Sequence, residues 1–214
     1  MTHQLSFRLH QGYATSRAWL GLLLIVLLAG CASQAPGPNQ AREHGEWDAQ
    51  AERLQELEAW GLAGKVGLRT NEGSESANID WQQRPDTYRI LISGPFGAGR
   101  TLLRGGPEKV TLNSSEGHFE AQTPEALMEQ QLGWSLPISA LDYWVRGLPA
   151  PEASKRLKHD DLGFPQRLQQ FGWTIEYRDW TRADDLWLPR RLVMTYGDLR
   201  ATLVITQWDP MTDS

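Results

Sequence analysis

Residues 76–92 read SANIDWQQRPDTYRILI, and this stretch decides the fold class. Apolar and polar side chains alternate on both sides of a short turn signal at 84–86. The apolar positions are Ala77, Ile79, Trp81, Tyr88, Ile90 and Ile92. A period of two is typical of half-buried strands, so the stretch predicts an antiparallel hairpin with one buried face. A register error of one residue would bury Leu91 in place of Ile90 and Ile92.

Similar short runs continue in both directions from this hairpin, separated by turns rich in Gly, Pro, Asn and Asp. Ten strands can be read, at 62–69, 76–82, 88–92, 100–104, 109–112, 117–121, 167–171, 173–179, 186–196 and 199–208. Short strands with frequent turn signals are typical of an antiparallel meander, sandwich or barrel. The charged, proline-containing segment 150–161 is expected to be a long loop.

Three helices are predicted around these strands. Residues 46–60 place apolar side chains at helical spacing. Thr123 and Pro124 form an N-terminal helix signal for a helix that ends at 132, and Pro137 opens another that ends at Gly147. Because the helices do not alternate with strands, we predict an α+β fold built on one antiparallel sheet. No second domain boundary is visible, so residues 46–210 are predicted to form a single domain.

The N-terminus has the pattern of a bacterial lipoprotein signal. Basic residues precede an apolar run at 18–29, which is too short to span a bilayer. The run ends in Leu-Ala-Gly-Cys at 28–31, which resembles a lipobox. We predict a signal peptide at 1–30 that is cleaved before Cys31, a triacylated Cys31, and a flexible tether at 31–45. The alternative is a buried Cys31 at the end of a short anchor helix. By the same resemblance, Ala32 points to the outer membrane.

Composition restricts the possible functions. The chain has 214 residues and a net charge of −5, which becomes −7 when residues 1–30 are removed with their two arginines. This acidic balance disfavours a nucleic-acid partner. It also predicts that contact with a membrane is apolar or acyl-mediated. Nine tryptophans remain after cleavage; they either fill the core or line a cavity that is too wide for aliphatic side chains.

No catalytic or metal-binding motif is apparent. The three histidines that remain after cleavage have no metal-ligand spacing, and no G-x-S-x-G or phosphate-loop motif occurs. Ser114 and Ser115 lie close to His118, but a polar turn between strands explains them better than a nucleophile and its base. We therefore expect no enzyme activity, no metal and no cofactor.

Five stretches resemble the LolB family in the family's own order. They are ANIDWQQ at 77–83, DTYRI at 86–90, GPFG at 94–97, LGWSLP at 132–137 and LDYWVRGLP at 141–149. The resemblance extends from Trp47 to Trp208. It implies an unclosed antiparallel β-barrel (a half-barrel) of about eleven strands, covered by a helical lid, with a hydrophobic cavity between them. The two helices in the middle of the chain become the lid.

The turn Gly94-Pro95-Phe96-Gly97 corresponds to a protruding loop of the family that carries an apolar residue, often Leu. The resemblance implies that this loop helps to insert lipoproteins into the membrane. Phe96 keeps the apolar character; the alternative is that its ring folds back onto the core.

The resemblance also implies the function. The family accepts lipoproteins from the periplasmic carrier LolA and inserts them into the inner leaflet of the outer membrane without ATP. We therefore expect a monomeric, periplasm-facing receptor that is anchored through Cys31, with triacylated lipoproteins as cargo. The residues expected to line the acyl-chain cavity are Ile79, Trp81, Ile90, Ile92 and Trp144. Two alternatives are a periplasmic lipoprotein enzyme and a structural or docking envelope lipoprotein with a filled core.

Overall fold

A computed structural model describes residues 41–94, 99–132, 137–151 and 153–211, without the side chain of Leu132. This part of the chain contains three helices: α1 (Glu46–Glu56), α2 (Pro124–Leu132) and α3 (Ile138–Val145). The strands are β1 (Trp60–Arg69), β2 (Ser74–Gln83), β3 (Tyr88–Ser93), β4 (Thr101–Gly105), β5 (Val110–Ser114), β6 (Gly117–Ala121), β7 (Arg156–His159), β8 (Pro165–Gln170), β9 (Trp173–Ala183), β10 (Leu186–Tyr196) and β11 (Leu199–Pro210).

All eleven strands belong to one antiparallel sheet, in the order β6-β5-β4-β3-β2-β1-β11-β10-β9-β8-β7. The first and last strands pair in its middle, and β6 and β7 form its two edges. A bulge interrupts the pairing of β1 with β11 between Ala63 and Gly64. A Cβ atom at Gly64 would lie 2.2 Å from the carbonyl oxygen of Val204, so only glycine allows this approach. The sheet is an unclosed half-barrel covered by helices, as the resemblance to the LolB family implied; the single antiparallel sheet was predicted from the residues themselves.

The first helix is shorter than predicted. The apolar spacing suggested a helix to residue 60, but α1 ends at Glu56 and Trp60 is the first residue of β1. Trp60 is fully buried against Trp81 and Trp208, at ring-centroid distances of 5.0 and 5.6 Å. Packing within the sheet therefore outweighs the helical period at this position.

The other two helices begin and end where the sequence predicted. The Thr123 hydroxyl accepts a hydrogen bond from the Ala126 amide at 3.2 Å, which caps the first turn of α2. Gly147 follows α3 with a φ of +85°, which L-residues with a side chain rarely adopt. Within the described residues, α2 packs on β5 and β6, whereas α1 and α3 pack on β10.

The segment predicted as a long loop at 150–161 contains the eleventh strand, β7. Only Leu157 of its four residues is half-buried, and Arg156, Lys158 and His159 are exposed. A short, charged edge strand has no alternating apolar pattern, so periodicity alone could not identify it.

The two ends of the half-barrel are packed differently. We call the end at which β1, β3, β5, β8 and β10 finish the mouth end, and the opposite end the closed end. Aromatic rings fill the closed end: Trp60, Trp81 and Trp208 form one group, and Trp47, Phe164, Trp180 and Trp187 form another. Every core residue of the described part lies between Trp47 and Trp208, so residues 31–214 contain this whole core.

Several predicted features lie outside the described residues. They are the signal peptide at 1–30, Cys31 and most of the tether, residues 95–97 of the predicted insertion loop, and Trp134. At the end of the predicted tether, the Arg42 guanidinium is 2.6 Å from an Asp160 carboxylate oxygen and stacks over the Phe164 ring. Arg42, near the end of the predicted tether, therefore already packs against the folded domain.

Candidate functional site

The main cavity lies between the inner face of the sheet and the helices α2 and α3, and has a volume of about 630 Å³. Its lining comes from eight strands of the sheet, both of these helices and the β3–β4 connection. The lining residues are Val66, Leu68, Glu75, Ser76, Ala77, Ile79, Trp81, Ile90, Ile92, Gly94, Gly99, Thr101, Leu103, Leu112, Met128, Ile138, Leu141, Val145, Trp173, Met194, Leu199, Ala201 and Leu203.

The wall of the cavity is apolar except near the mouth end. Most of its side chains are aliphatic, and two flexible methionines also line it, Met128 from the lid and Met194 from the sheet. Glu75, Ser76 and Thr101 provide the polar lining, and all three lie at the mouth ends of their strands. Because Glu75 and Ser76 are exposed, the cavity opens to solvent at that end. Such a site suits a long apolar group that enters at the mouth end.

Four of the five predicted cavity residues lie on this wall. Ile79 is opposite Ile92 and Trp81 is opposite Ile90 in the pairing of β2 with β3. Cross-strand neighbours of this kind share one face of the sheet. The inner face is therefore the one that carries Ile90 and Ile92, and Leu91 is not among the lining residues.

Trp144 does not line the cavity, contrary to the prediction. Its ring is fully buried on another side of α3, where the indole N–H donates a 2.9 Å hydrogen bond to the Gln170 side-chain oxygen. The same oxygen accepts a 3.0 Å bond from the Ala150 amide, and the Gln170 amide donates to the Ala150 carbonyl at 2.8 Å. Trp144 therefore joins the lid to β8 rather than facing a ligand.

The tryptophans fill the core rather than the cavity wall. All eight tryptophans that lie in the described part of the chain are buried, but only Trp81 and Trp173 line the cavity. Of the two readings of the tryptophan excess, the structure favours the core. The cavity wall is made by aliphatic side chains from many strands.

Part of the predicted insertion loop can be located. Gly94 and Gly99 both line the cavity, so the connection between them starts and ends at the cavity wall. Gly99 has a φ of +59°, a conformation in which glycine avoids strain. Pro95, Phe96 and Gly97 lie between these two glycines, outside the described residues.

A buried arginine that the sequence analysis missed joins the lid to α1. Arg146 is 3% exposed, and its guanidinium donates to the carbonyl oxygens of Leu54 at 2.6 Å and Leu57 at 3.0 Å. It also donates to the Asp142 carbonyl at 3.0 Å and to the Asp142 carboxylate at 3.3 Å. These bonds satisfy carbonyl groups at the end of α1 with a positive charge. Burial raises the pKa of Asp142, and the nearby charge of Arg146 opposes this shift.

Sequence reasoning also missed the contribution of the last strands and of α2. Leu199, Ala201 and Leu203 line the cavity from β11, and Met194 lines it from β10. The alternation of β11 predicted a buried face, but did not show that this face joins that of β2 across β1. That information depends on the pairing of β1 with both strands.

The possible metal ligands and the serine and histidine near the β5–β6 turn can be located in the described residues. In these ranges, no three His, Cys, Asp or Glu side chains are grouped to hold a metal ion. The His118 ring bonds Asn113 and Glu120, and the Ser114 hydroxyl accepts a bond from the Glu116 amide. This is the polar turn that the sequence favoured. Among the helices described, none has the length and hydropathy needed to cross a membrane.

The chain is similar in sequence and in fold to known proteins. A protein named outer-membrane lipoprotein LolB from Chromohalobacter salexigens is 78% identical over 94% of this chain and 94% of its own. One of the same name from Pseudomonas putida is 44% identical over 87% of this chain and 93% of its own. The crystal structure of a LolA superfamily protein from Nitrosomonas europaea covers 77% of this chain and 94% of its own, with a TM-score of 0.50 and 7% identity, so this likeness concerns the fold alone.

The family model described as outer membrane lipoprotein LolB matches residues 58–208, from just before β1 to two residues before the end of β11. This match contains the first ten strands, most of β11, both lid helices and every residue that lines the cavity. The chain therefore belongs to the LolB family of outer membrane lipoproteins.

Proposed function

We propose that this chain accepts the acyl chains of other lipoproteins in its cavity and passes them to the outer membrane. A periplasmic carrier of the LolA type would deliver the cargo, and no nucleotide would be hydrolysed. The observation that carries this proposal is the apolar cavity of about 630 Å³ that opens at the mouth end. The alternative role, a docking lipoprotein without transfer activity, would need no such cavity, because it would have a filled core.

The direction of transfer would come from a series of increasing affinities. Burial of each methylene group is worth about 0.8 kcal/mol, so an acyl chain moves to whichever partner buries more of it. The cavity leaves its mouth exposed, whereas a bilayer covers the whole chain. Release into the membrane is therefore downhill without a covalent step.

The lid contacts suggest where the acyl chain enters. Arg146 holds the end of α3 to α1, and Trp144 holds its outer side to Gln170. Lifting α3 would break these buried hydrogen bonds, which are costly to leave unsatisfied. Entry and release at the mouth end, between Glu75 and Gly99, require no such movement.

The anchor and the insertion loop complete the proposal. Triacylated Cys31 would hold the chain on the periplasmic side of the outer membrane, after cleavage of residues 1–30. An extended tether from 31 to 42 would reach roughly 35–40 Å from that anchor. Phe96 would then contact the bilayer beside the mouth, because Gly94 and Gly99 on either side of its loop line the cavity.

The test is transfer of a triacylated lipoprotein from loaded carrier to the soluble fragment, residues 31–214 with Cys31→Ala. After incubation without ATP, the two proteins are separated and the lipoprotein is measured on each. We expect it on the fragment. A lipoprotein that stays on a carrier able to unload to another LolB protein would exclude the acceptor role and favour the docking role.

A matched pair of variants tests whether the cavity is the binding site. Ala201 faces the cavity and Thr202, the next residue of β11, faces the outer side of the sheet. Ala201→Phe fills space that an acyl chain would occupy and should reduce transfer at least tenfold. Thr202→Phe adds the same ring on the outer side of the sheet and should leave transfer unchanged. Equal transfer by both folded variants would show that the acyl chain binds elsewhere.

A further inference from the structure

Two exposed aromatic side chains lie at neighbouring turns of the mouth end. Phe171 is 53% exposed at the β8–β9 turn, and Tyr196 is 51% exposed at the β10–β11 turn. The Tyr196 ring stacks on Trp173 with centroids 5.3 Å apart, and Trp173 is part of the cavity wall. Water therefore reaches two large rings directly beside the cavity.

The backbone at Phe171 supports a role for its ring. Phe171 has a φ of +51°, in the left-handed region that glycine and asparagine adopt more easily. Phe171 and Gly172 are the two central residues of the β8–β9 hairpin turn, which places both at positive φ. The Phe171 ring lies 6.4 Å from the Trp144 ring, yet about half of Phe171 remains exposed. Strained residues of this kind occur preferentially at functional positions.

Two cations lie beside Phe171. Lys155 and Arg156 share with Phe171 and Trp173 a groove of about 410 Å³ along β7. Neither cation forms an ion pair in the described part of the chain, and no carboxylate lines this groove. By contrast, Arg167 and Arg178, further along the same sheet, both pair with Glu176. Lys155 and Arg156 are therefore available to an anionic partner.

We propose that Phe171, Tyr196, Lys155 and Arg156, together called the basic aromatic rim, bind the surface of an anionic phospholipid bilayer. Aromatic side chains prefer the headgroup region, and cations beside them are attracted to anionic lipids. Lys155 and Arg156 add local positive charge to a domain whose overall charge is negative, so apolar contact is not the only contact available. The proposal rests on the proposed function in one respect: binding here would hold the cavity mouth against the membrane.

The experiment is flotation of the soluble fragment, without carrier or cargo, on vesicles of phosphatidylethanolamine with and without phosphatidylglycerol. Phe171→Asn removes the ring and suits the left-handed backbone, so the variant should fold as well as its parent. It should bind both kinds of vesicle about tenfold more weakly. Lys155→Gln/Arg156→Gln should bind anionic vesicles about thirtyfold more weakly, at about fivefold per cation, and neutral vesicles unchanged.

A matched control separates this surface from net charge. Arg104→Gln/Arg191→Gln makes the same charge change at exposed positions of β4 and β10, away from the mouth end, and should bind within about twofold of the parent. Three results would overturn the proposal. The parent fragment could fail to bind anionic vesicles, or the control and the rim variants could lose the same amount of vesicle binding. In the third result, the rim variants bind vesicles normally but no longer receive lipoprotein from the carrier. The last result would assign the rim to an acidic protein partner. Because flotation uses no cargo, its failure leaves the acceptor proposal to be judged by transfer alone.

Discussion

Replacing the buried arginine of the lid should be costly and should make stability depend on pH in a defined direction. Arg146→Met keeps the apolar stem but removes four hydrogen bonds from the guanidinium. Two carbonyl groups at the end of α1 and the Asp142 carboxylate lose a charged donor. Removing one partner of a buried ion pair typically costs about 3–5 kcal/mol. We expect a loss in this range at pH 7, a large part of the stability of an ordinary domain.

The pH dependence follows from Asp142. Burial already raises its pKa above the usual value, and Arg146 limits the shift. Without the guanidinium, the folded-state pKa of Asp142 should rise further. A carboxyl group with a raised pKa binds its proton more tightly in the folded chain, so stability falls as pH rises from about 4 through that folded pKa. The variant should therefore lose less stability at pH 5 than at pH 7.

Urea unfolding of the soluble fragment at both pH values measures these effects. Arg104→Met is the control, because this exposed arginine should contribute less than about 0.5 kcal/mol. Adding Asp142→Asn to Arg146→Met should recover part of the loss at pH 7 and remove its pH dependence. A cost below about 1 kcal/mol, equal at the two pH values, would refute the claim that Arg146 fastens the lid to α1.

Three further predictions concern the packing beside α3 and an ion pair on the sheet. Gly147→Ala should destabilise the fragment by more than about 2 kcal/mol in thermal or urea unfolding. Gly147 has a φ of +85°, and an added Cβ would lie 2.8 Å from two tryptophan rings. The control is Gly163→Ala, which has a φ of +87° but open space around it, and should show only the backbone cost of about 1 kcal/mol. Gln170→Leu should cost about 2–4 kcal/mol, since it leaves three buried groups without their hydrogen bonds; unchanged urea unfolding would contradict this. The hydrogen bond from Arg167 lowers the pKa of Glu176. The stabilising contribution of this carboxylate should therefore be fully present above the ordinary glutamate pKa and be lost as pH falls through the lowered pKa of the folded chain. A titration of the Glu176 carboxyl group by NMR that shows no lowered pKa would exclude the contribution.

The sheet was predictable because alternation and turn signals are local. Ile79, Ile90 and Ile92 were assigned to one face from a seventeen-residue stretch, and the pairing of β2 with β3 places them together. Strand β7 was missed for the opposite reason. Its exposed, charged residues belong to a strand only because β8 provides hydrogen-bonding partners, and a partner strand leaves no pattern in the residues of β7 itself.

In the lid, helical periodicity could not predict which apolar residues of α3 face the cavity. Ile138, Leu141, Trp144 and Val145 form one wide apolar stripe in the sequence, but the structure divides it between the cavity and the Gln170 contact. A helix that is buried on two sides carries apolar residues toward both, and spacing alone cannot assign them. Arg146 illustrates the same limit, because its carbonyl partners are 89 and 92 residues earlier in the chain.

The concentration of aromatic residues at one end of the half-barrel explains how an apolar cavity persists. Close packing is the normal state of protein interiors, so an open cavity needs walls that cannot collapse. Large aromatic rings close one end, and the bonds of Arg146 and Gln170 hold α3 above the sheet. An open cavity lowers the stability that close packing would give, but it leaves space for a ligand. Ala201→Phe should consequently raise the free energy of unfolding by about 0.5–2 kcal/mol while it blocks transfer, and opposite changes in stability and activity are the result expected of a cavity maintained for function.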